Sequence, residues 1–350
     1  MSVPTITTSR TITTSRLTTR VLFHGPDDGI PVLFLHGNLT SATWWEETMV
    51  ALPAGYRGIA PDQRGYGSAD PAAKIDATRG MGDLVDDAIA LLEHLGIDRA
   101  HLVGNSLGGC VAWGLIADHS DRWLTVTQAD PGSPFGYAAT KDVDGTPTNG
   151  EYSGSGAGLI NPEVVKLLAA KDRSVDSPFT ARSALRQLIV KPPFIPPRED
   201  ELVEAMLEVH LGEQDYPGDA VPSSLWPGVG PGMWGSNNGL SPKYYHVADD
   251  VVAAASKPPV LWIRGENDLL VGDAAMADPG ALGGMGLIPG YPGVEVYPPQ
   301  PMLGQIRTML DRYAAAGGTY TERMVADCGH VPFIEKPDEF NEMFHAHIRK

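Results

Sequence analysis

The sequence predicts an α/β fold, a mostly parallel sheet flanked by helices with one large cap insertion, on three observations. Short apolar runs alternate with helical patterns from Pro31 to Asp130. The same rhythm returns at Pro258 and runs to the C-terminus. Between Pro131 and Ser256 it breaks, and 28 of those 126 residues are Gly or Pro, about twice the usual share of roughly 12%. Strands alternating with helices imply a parallel sheet covered on both faces, and the ligand crevice of such a sheet lies beyond the carboxyl ends of its strands.

The elements follow in order. TITTSR stands twice in tandem, at Thr5 to Arg10 and Thr11 to Arg16. Twelve residues are too few for a solenoid repeat, so the first copy reads as a frayed tail and the second as the approach to an edge strand through RVLFHG. Then come the strand VLFLHG, the helix SATWWEETMVAL, the strand RGIAPD and the helix MGDLVDDAIALLEHLG, whose apolar residues recur at three- and four-residue intervals. The strand AHLV, the helix CVAWGLIADH and the strand WLTVTQAD complete the first half. The insertion holds three helical pieces, NPEVVKLLAAK, TARSALRQLIV and REDELVEAMLEVH, separated by PPFIPP and a long Gly- and Pro-rich loop. The strand in PPVLWIRGEND, the helix PMLGQIRTMLDRYAAAGG, the strand YTERMVADCGH and the helix KPDEFNEMFHAHI finish the chain, with a second loop rich in Gly, Pro and Met between Gly272 and Pro301. The expected partition is a core of residues 17–130 and 257–350, a cap of residues 131–256, and an N-terminal segment of residues 1–16, flexible or an edge strand.

Composition narrows the class. A chain of 350 residues with 42% hydrophobic and 20% charged residues can bury a large core. A net charge of -17 argues against nucleic acid and anionic membranes, which favour clustered Lys and Arg. No apolar run approaches the roughly 20 residues that span a bilayer, and MSVPTITTSR lacks the apolar core of a signal peptide, so a cytoplasmic protein is expected. Two cysteines, Cys110 and Cys328, offer neither a disulfide framework nor metal-ligand spacing. The expected partner is a small-molecule substrate; a homo-oligomer is compatible with the sequence but not required by it.

The chemistry centres on LVGNSLGGC, Leu102 to Cys110. Gly104, Ser106 and Gly108 form Gly-x-Ser-x-Gly between a strand and a helix, a turn in which a serine adopts a strained backbone and flanking side chains would collide with neighbours. Its hydroxyl would stand at a helix N-terminus, whose free amides favour developing negative charge. An activated serine needs a base and an acid to orient that base. Of ten histidines, His330 follows a strand and would reach the same rim, whereas His345 and His347 lie in the terminal helix and His94, His101 and His119 flank elements away from the crevice. Asp268, in the turn after VLWIRG, is the expected acid; Asp130 also ends a strand and is the alternative acid. The oxyanion needs two donors: the amide of Leu107, and the amide of Asn38, which Gly37 lets face Ser106.

Together HGN at His36 to Asn38, APDQRGYGSAD at Ala60 to Asp70, GNSLGG at Gly104 to Gly109, RGENDLLV at Arg264 to Val271 and CGHVPFIEKP at Cys328 to Pro337 resemble the α/β-hydrolase superfamily, in that family's order of serine, acid and histidine. The likeness covers roughly Leu17 to Asp130 and Pro258 to the C-terminus. It implies an eight-stranded, mostly parallel sheet and hydrolysis through an acyl-enzyme, without metal or organic cofactor, and gives Asp62 and Arg64 the bracing of loops. Haloalkane dehalogenases and epoxide hydrolases resemble the chain around HGN but use an aspartate nucleophile where this chain has Ser106. DRAHLVGNSLGG is similar to carbon-carbon bond hydrolases of ring-cleavage products, which need a basic cap residue for a substrate carboxylate; Arg182, Arg186 and Arg198 are the candidates.

The leading expectation is therefore a serine hydrolase, a carboxylesterase or lactonase, with Ser106, His330 and Asp268 as its triad. A carbon-carbon bond hydrolase is the alternative, and a non-catalytic ligand-binding protein of the same fold is the second alternative. Trp226, Trp234, Tyr244, Tyr245 and Phe135 are the expected substrate-binding residues, drawn from a set of cap aromatics that also holds Tyr137, Phe179 and Phe194, enough to wall a mostly apolar pocket.

Overall fold

The apolar runs become strands because each is β-branched or aromatic and bounded by turn formers. In the computed structural model, which describes residues 7–349, these are β1 (Thr8–Thr13), β2 (Thr18–His24), β3 (Ile30–Leu35), β4 (Tyr56–Pro61), β5 (Ala100–Asn105), β6 (Trp123–Ala129), β7 (Val260–Gly265) and β8 (Tyr320–Val325). They form one sheet in the order β1-β2-β4-β3-β5-β6-β7-β8. β1 and β2 are antiparallel to each other, and β2 to β4; every pair from β4 to β8 is parallel.

β1 corrects the reading of the tandem repeat. It starts inside the first TITTSR and ends inside the second, with Thr8 opposite Phe23 and Thr13 opposite Thr18. Thr5 and Ile6 lie outside the described residues. Pairing with β2, not the repeat boundary, decides where the edge strand begins.

The main helices are α1 (Gly82–His94), α2 (Leu107–His119), then α3 (Pro162–Ala169) and α4 (Glu199–Leu207) of the insertion, and α5 (Ala248–Ala253), α6 (Met302–Ala315) and α7 (Pro337–Ile348). Trp45, Trp113, Trp123, Trp262, Phe34, Phe340 and Phe344 fill the two layers and are almost wholly buried. Trp45 stacks on Phe333 with ring centroids 4.0 Å apart. The helix expected over SATWWEETMVAL is shorter than its pattern: a 3-10 turn, Ala42–Trp45, with Ser41 as cap, precedes Glu46–Val50.

Residues 131–256 are an excursion between β6 and β7, and its last segment packs with the sheet layer. α5 lies against both α2 and α6, and the Tyr245 hydroxyl donates to the Cys110 carbonyl of α2 at 2.7 Å. Tertiary packing thus draws the end of the expected cap into the core layer.

TARSALRQLIV does not form one regular helix. A short α-turn, Ala181–Ala184, widens into a π-helical turn, Leu185–Ile189, whose last carbonyl accepts the His330 amide at 2.8 Å.

Candidate active site

β5 ends at Asn105, β6 at Ala129 and β7 at Gly265, so the loops after them meet at one rim. Ser106 sits between β5 and α2 with φ 55° and ψ -116°, a conformation that costs a non-glycine residue on the order of 1–3 kcal/mol. The surrounding contacts hold it: its amide donates to Ala129 O and Asp130 O at 3.3 and 3.2 Å, and its carbonyl accepts from Cys110 and Gly132. The flanking glycines are required by close approach. A Cβ at Gly104 would lie 2.5 Å from Gly108 O, and one at Gly108 would fall on Leu35 O and lie 2.6 Å from His36 O. Ser106 is half-buried. Gly37 completes the cluster, since a Cβ there would be 3.2 Å from Ser106 Cβ.

His330 and Asp268 form a buried pair, side chains 5% and 3% exposed. Nδ1 of His330 lies 2.8 Å from Asp268 Oδ2. With the ring neutral, that nitrogen carries the proton and leaves Nε2 as an acceptor. Asp268 Oδ1 accepts the amides of Leu270 and Val271 at 2.7 and 3.1 Å. Serine and histidine loops are joined through Asn105, whose amide donates to Ala129 O at 2.9 Å and His330 O at 3.3 Å. The Ser106 hydroxyl is not hydrogen-bonded to the imidazole in this geometry, and in unliganded sites such contacts often close only with substrate.

Asp130 joins the same cluster. One oxygen or ring nitrogen from each of Asp130, Asp268 and His330 lies within 4.8 Å of the others, the only such trio of His, Cys, Asp or Glu among the described residues. The structure therefore brings both candidate acids together, with His330 paired to Asp268.

Asn38 follows Gly37 at the elbow, and Leu107 opens α2, where amides have no intrahelical acceptor. The Asn38 side chain is committed elsewhere. It donates to Asn237 Oδ1 at 2.8 Å and accepts from the Tyr66 hydroxyl at 2.7 Å, and that hydroxyl is also 2.6 Å from Ser236 Oγ. One of the two Asn38 Nδ2 protons is thereby taken.

His36 braces this loop from beneath. It stands 2.9 Å from Gly37 O through Nδ1 and accepts the Gln63 amide on Nε2 at 2.9 Å. Burial lowers its pKa to about 4, which keeps it neutral and the tautomer fixed.

Two supports were not visible in the sequence. Glu335, buried, accepts the amides of Gly329 and Lys191 at 2.8 Å each, tying the histidine loop to the insertion. Tyr137 donates to Leu270 O at 2.6 Å beside the acid turn. Glu335 lies in the quoted CGHVPFIEKP, five residues after His330, and that nearness was the one available signal.

Three of the five expected substrate-binding aromatics, Trp226, Phe135 and Tyr245, make ring or hydrogen-bond contacts with other parts of the protein. Trp226 stands edge-on to Tyr291 and Tyr297, 5.3 and 4.9 Å away, and donates to Pro289 O. Trp234 lines an open cavity of about 580 Å³ with Lys74, Asp215 and Asp219. Phe135 is buried edge-on to His246, Tyr245 is buried against α2, and Tyr244 carries the Lys243 ammonium over its ring. Among the described residues, none of the five has a hydrogen bond or ring contact to Ser106, His330 or Asp268.

Comparison with known proteins agrees with this architecture. The family described as alpha/beta hydrolase fold matches residues 30–144. A putative carbamate hydrolase, RutD, of Variovorax paradoxus (strain S110) is 43% identical over 100 residues, 28% of this chain and 37% of that protein. The chain spans little more than a third of the length of the curated relatives it matches. Among solved structures, the 2-hydroxy-6-oxo-6-phenylhexa-2,4-dienoate hydrolase of Rhodococcus sp. strain RHA1 superposes with a TM-score of 0.61 at 17% identity, covering 98% of this chain and 99% of that one. The carboxylesterase CesB of Bacillus subtilis gives 0.58 at 16%, covering 99% and 92%. Strand order and the superposed structures agree on the architecture, and residues 30–144 match the family model: the chain has the α/β-hydrolase fold.

Proposed function

We propose that the chain is a serine hydrolase that cleaves a carboxylic ester or lactone of a small, mostly apolar molecule through an acyl-enzyme. The observation that carries the reading is the juxtaposition, at one sheet rim, of a strained half-buried serine and a buried histidine whose Nδ1 is held by a carboxylate.

Ser106 Oγ attacks the substrate carbonyl while its proton passes to His330 Nε2. Asp268 fixes the tautomer and stabilises the imidazolium. The amides of Asn38 and Leu107 hold the tetrahedral oxyanion, each worth about 3 kcal/mol of transition-state stabilisation. Collapse expels the alcohol, which takes the proton from His330; in a lactone it remains tethered to the acyl group. Water, deprotonated by His330, then releases the acid and restores Ser106.

The carbon-carbon bond reading lacks its cation. Arg182 is bonded to Glu199 and Asp200, Arg186 to Glu199, and Arg198 to Glu46. Each candidate for a substrate carboxylate is thus already paired.

The test is turnover of a short-chain aryl ester together with a fluorophosphonate label mapped by peptide sequencing. The expected label is on Ser106, and Ser106→Ala lowers kcat by a factor on the order of 10^6. No label and no turnover across esters, lactones and amides would favour the ligand-binding reading. Strong preference for a ring-cleavage dienoate over simple esters would favour the carbon-carbon hydrolase.

A further inference from the structure

The rim holds two carboxyl groups where a triad needs one. We infer that Asp130 is a positioning residue of the same site: a proton-bearing carboxyl that donates to Asp268 and can replace it as the partner of His330. This rests on reading Ser106, His330 and Asp268 as a triad.

The geometry leaves Asp130 no other arrangement. It is 1% exposed. Its Oδ1 accepts the Gly265 amide at 2.9 Å, while Oδ2 is buried without a hydrogen-bond partner. A buried carboxylate oxygen with no donor is costly, and the cost disappears if that oxygen carries the proton and becomes the donor. The acceptor in hydrogen-bonding contact is Asp268, one of the trio gathered within 4.8 Å.

Two carboxyls so close and so shielded cannot both be ionised. Asp268 receives three donors, from Leu270, Val271 and His330, whereas Asp130 receives one. The charge therefore belongs to Asp268 and the proton to Asp130. Burial and the charge of Asp268 push the Asp130 carboxyl well above the ordinary carboxylate range, in agreement. The other titratable groups facing Asp130 are His330, whose Nδ1 is held by Asp268, and Glu335 and Cys328, neither of which brings positive charge.

The backbone is set for this placement as well. Asp130 has φ 44°, outside ordinary strand geometry, and is held there by its amide to Ile263 O at 2.9 Å and by the Ser106 amide on its carbonyl at 3.2 Å. In Asp268→Asn the like charge is gone. Asp130 then ionises and takes over His330.

The experiment compares kcat/KM for an aryl ester among wild type, Asp268→Asn, Asp130→Asn, Asp130→Leu and the double Asp268→Asn/Asp130→Asn, with folding checked by thermal unfolding. Asp268→Asn is expected to stay within about 100-fold of wild type, while the double falls on the order of 10^4-fold. Asp130→Leu is expected to lose about tenfold, and Asp130→Asn, which keeps a donor toward Asp268, to recover most of that. Equal loss in Asp268→Asn and the double overturns the inference. An infrared difference spectrum between wild type and Asp130→Asn at neutral pH supplies a readout independent of turnover: a carboxylic-acid carbonyl band in wild type is expected, and its absence sinks the proposal. Full activity in Ser106→Ala would instead overturn the triad reading beneath it.

Discussion

At the scale of single residues, the site depends on side chains that are absent as much as on those present. Ser106 keeps its strained backbone because Gly104 and Gly108 let α2 and the end of β3 close in around it. The consequence is testable at Gly108. In Gly108→Ala the new methyl meets the carbonyls of Leu35 and His36, backbone atoms that cannot swing aside. The expected cost is about 3 kcal/mol of stability, near the upper end for overpacking. Because those carbonyls precede the Asn38 amide, kcat should fall more than substrate affinity does. Unfolding in urea alongside steady-state kinetics checks both; a variant with wild-type stability and kcat would show that the elbow has more room than the structure describes. Asn105 is the complementary case. Within Gly-x-Ser-x-Gly it occupies an x, a position the pattern leaves free, yet its amide stitches the serine loop to the histidine loop.

At the scale of elements, loops are positioned by a few buried polar groups. Asp62 accepts two bonds from Arg20 at 2.8 and 3.0 Å, the Ala42 amide at 3.0 Å and the Ser68 amide at 2.9 Å. Arg64 is bonded to Asp87 of α1 at 2.8 and 2.7 Å. These are the bracing roles expected from APDQRGYGSAD. The insertion is fastened to the loop after β3 by the chain Asn237, Asn38, Tyr66 and Ser236. Tyr66→Phe removes the hydroxyl and leaves Asn38 Oδ1 and Ser236 Oγ short of a partner, so a loss of about 1–3 kcal/mol in stability is expected. A severalfold drop in kcat should accompany it as the Asn38 backbone loosens. Thermal unfolding and single-turnover kinetics read the two effects; unchanged values for both would show that this chain does not position the loop. The strands from β3 to β7 were legible because burial on two faces writes itself as short apolar runs; β8, a half-exposed edge strand, was legible from its aromatic and β-branched start and the turn residues around it. That Ser106, Asp268 and His330 share one rim was legible because each stands in the loop just after a strand. The aromatics of the insertion were not, because their partners are remote in sequence: Trp226 meets Tyr291 and Tyr297, and Tyr245 meets Cys110. Composition shows that such rings pack, but not against what.

At the scale of the whole molecule, buried histidines make the fold sensitive to acid. No helix among the described residues is long and apolar enough to cross a membrane. His36 lies in the loop after β3, bonded to Gly37 and Gln63, and His101 lies on β5, 2.8 Å from Thr125 Oγ1. Burial lowers both from 6.5 to about 4. In the unfolded chain they take protons near 6.5, so below that pH the unfolded state binds more protons and stability declines until about pH 4, where the folded histidines also charge. A shift of this size corresponds to about 3 kcal/mol per histidine, a large share of the 5–15 kcal/mol typical of a folded domain. Asp130, Glu335 and Asp278 act in the opposite sense. Burial raises them, so the folded state takes up their protons first and gains stability as the pH falls through their folded values. The two contributions separate in a variant. His101→Gln removes one histidine and no carboxyl, so its stability relative to wild type should improve by about 2–3 kcal/mol between pH 7 and pH 4, whatever its value at pH 7. Urea unfolding at a series of pH values measures that difference; a gap that stays constant with pH would mean that His101 is not held neutral in the folded protein.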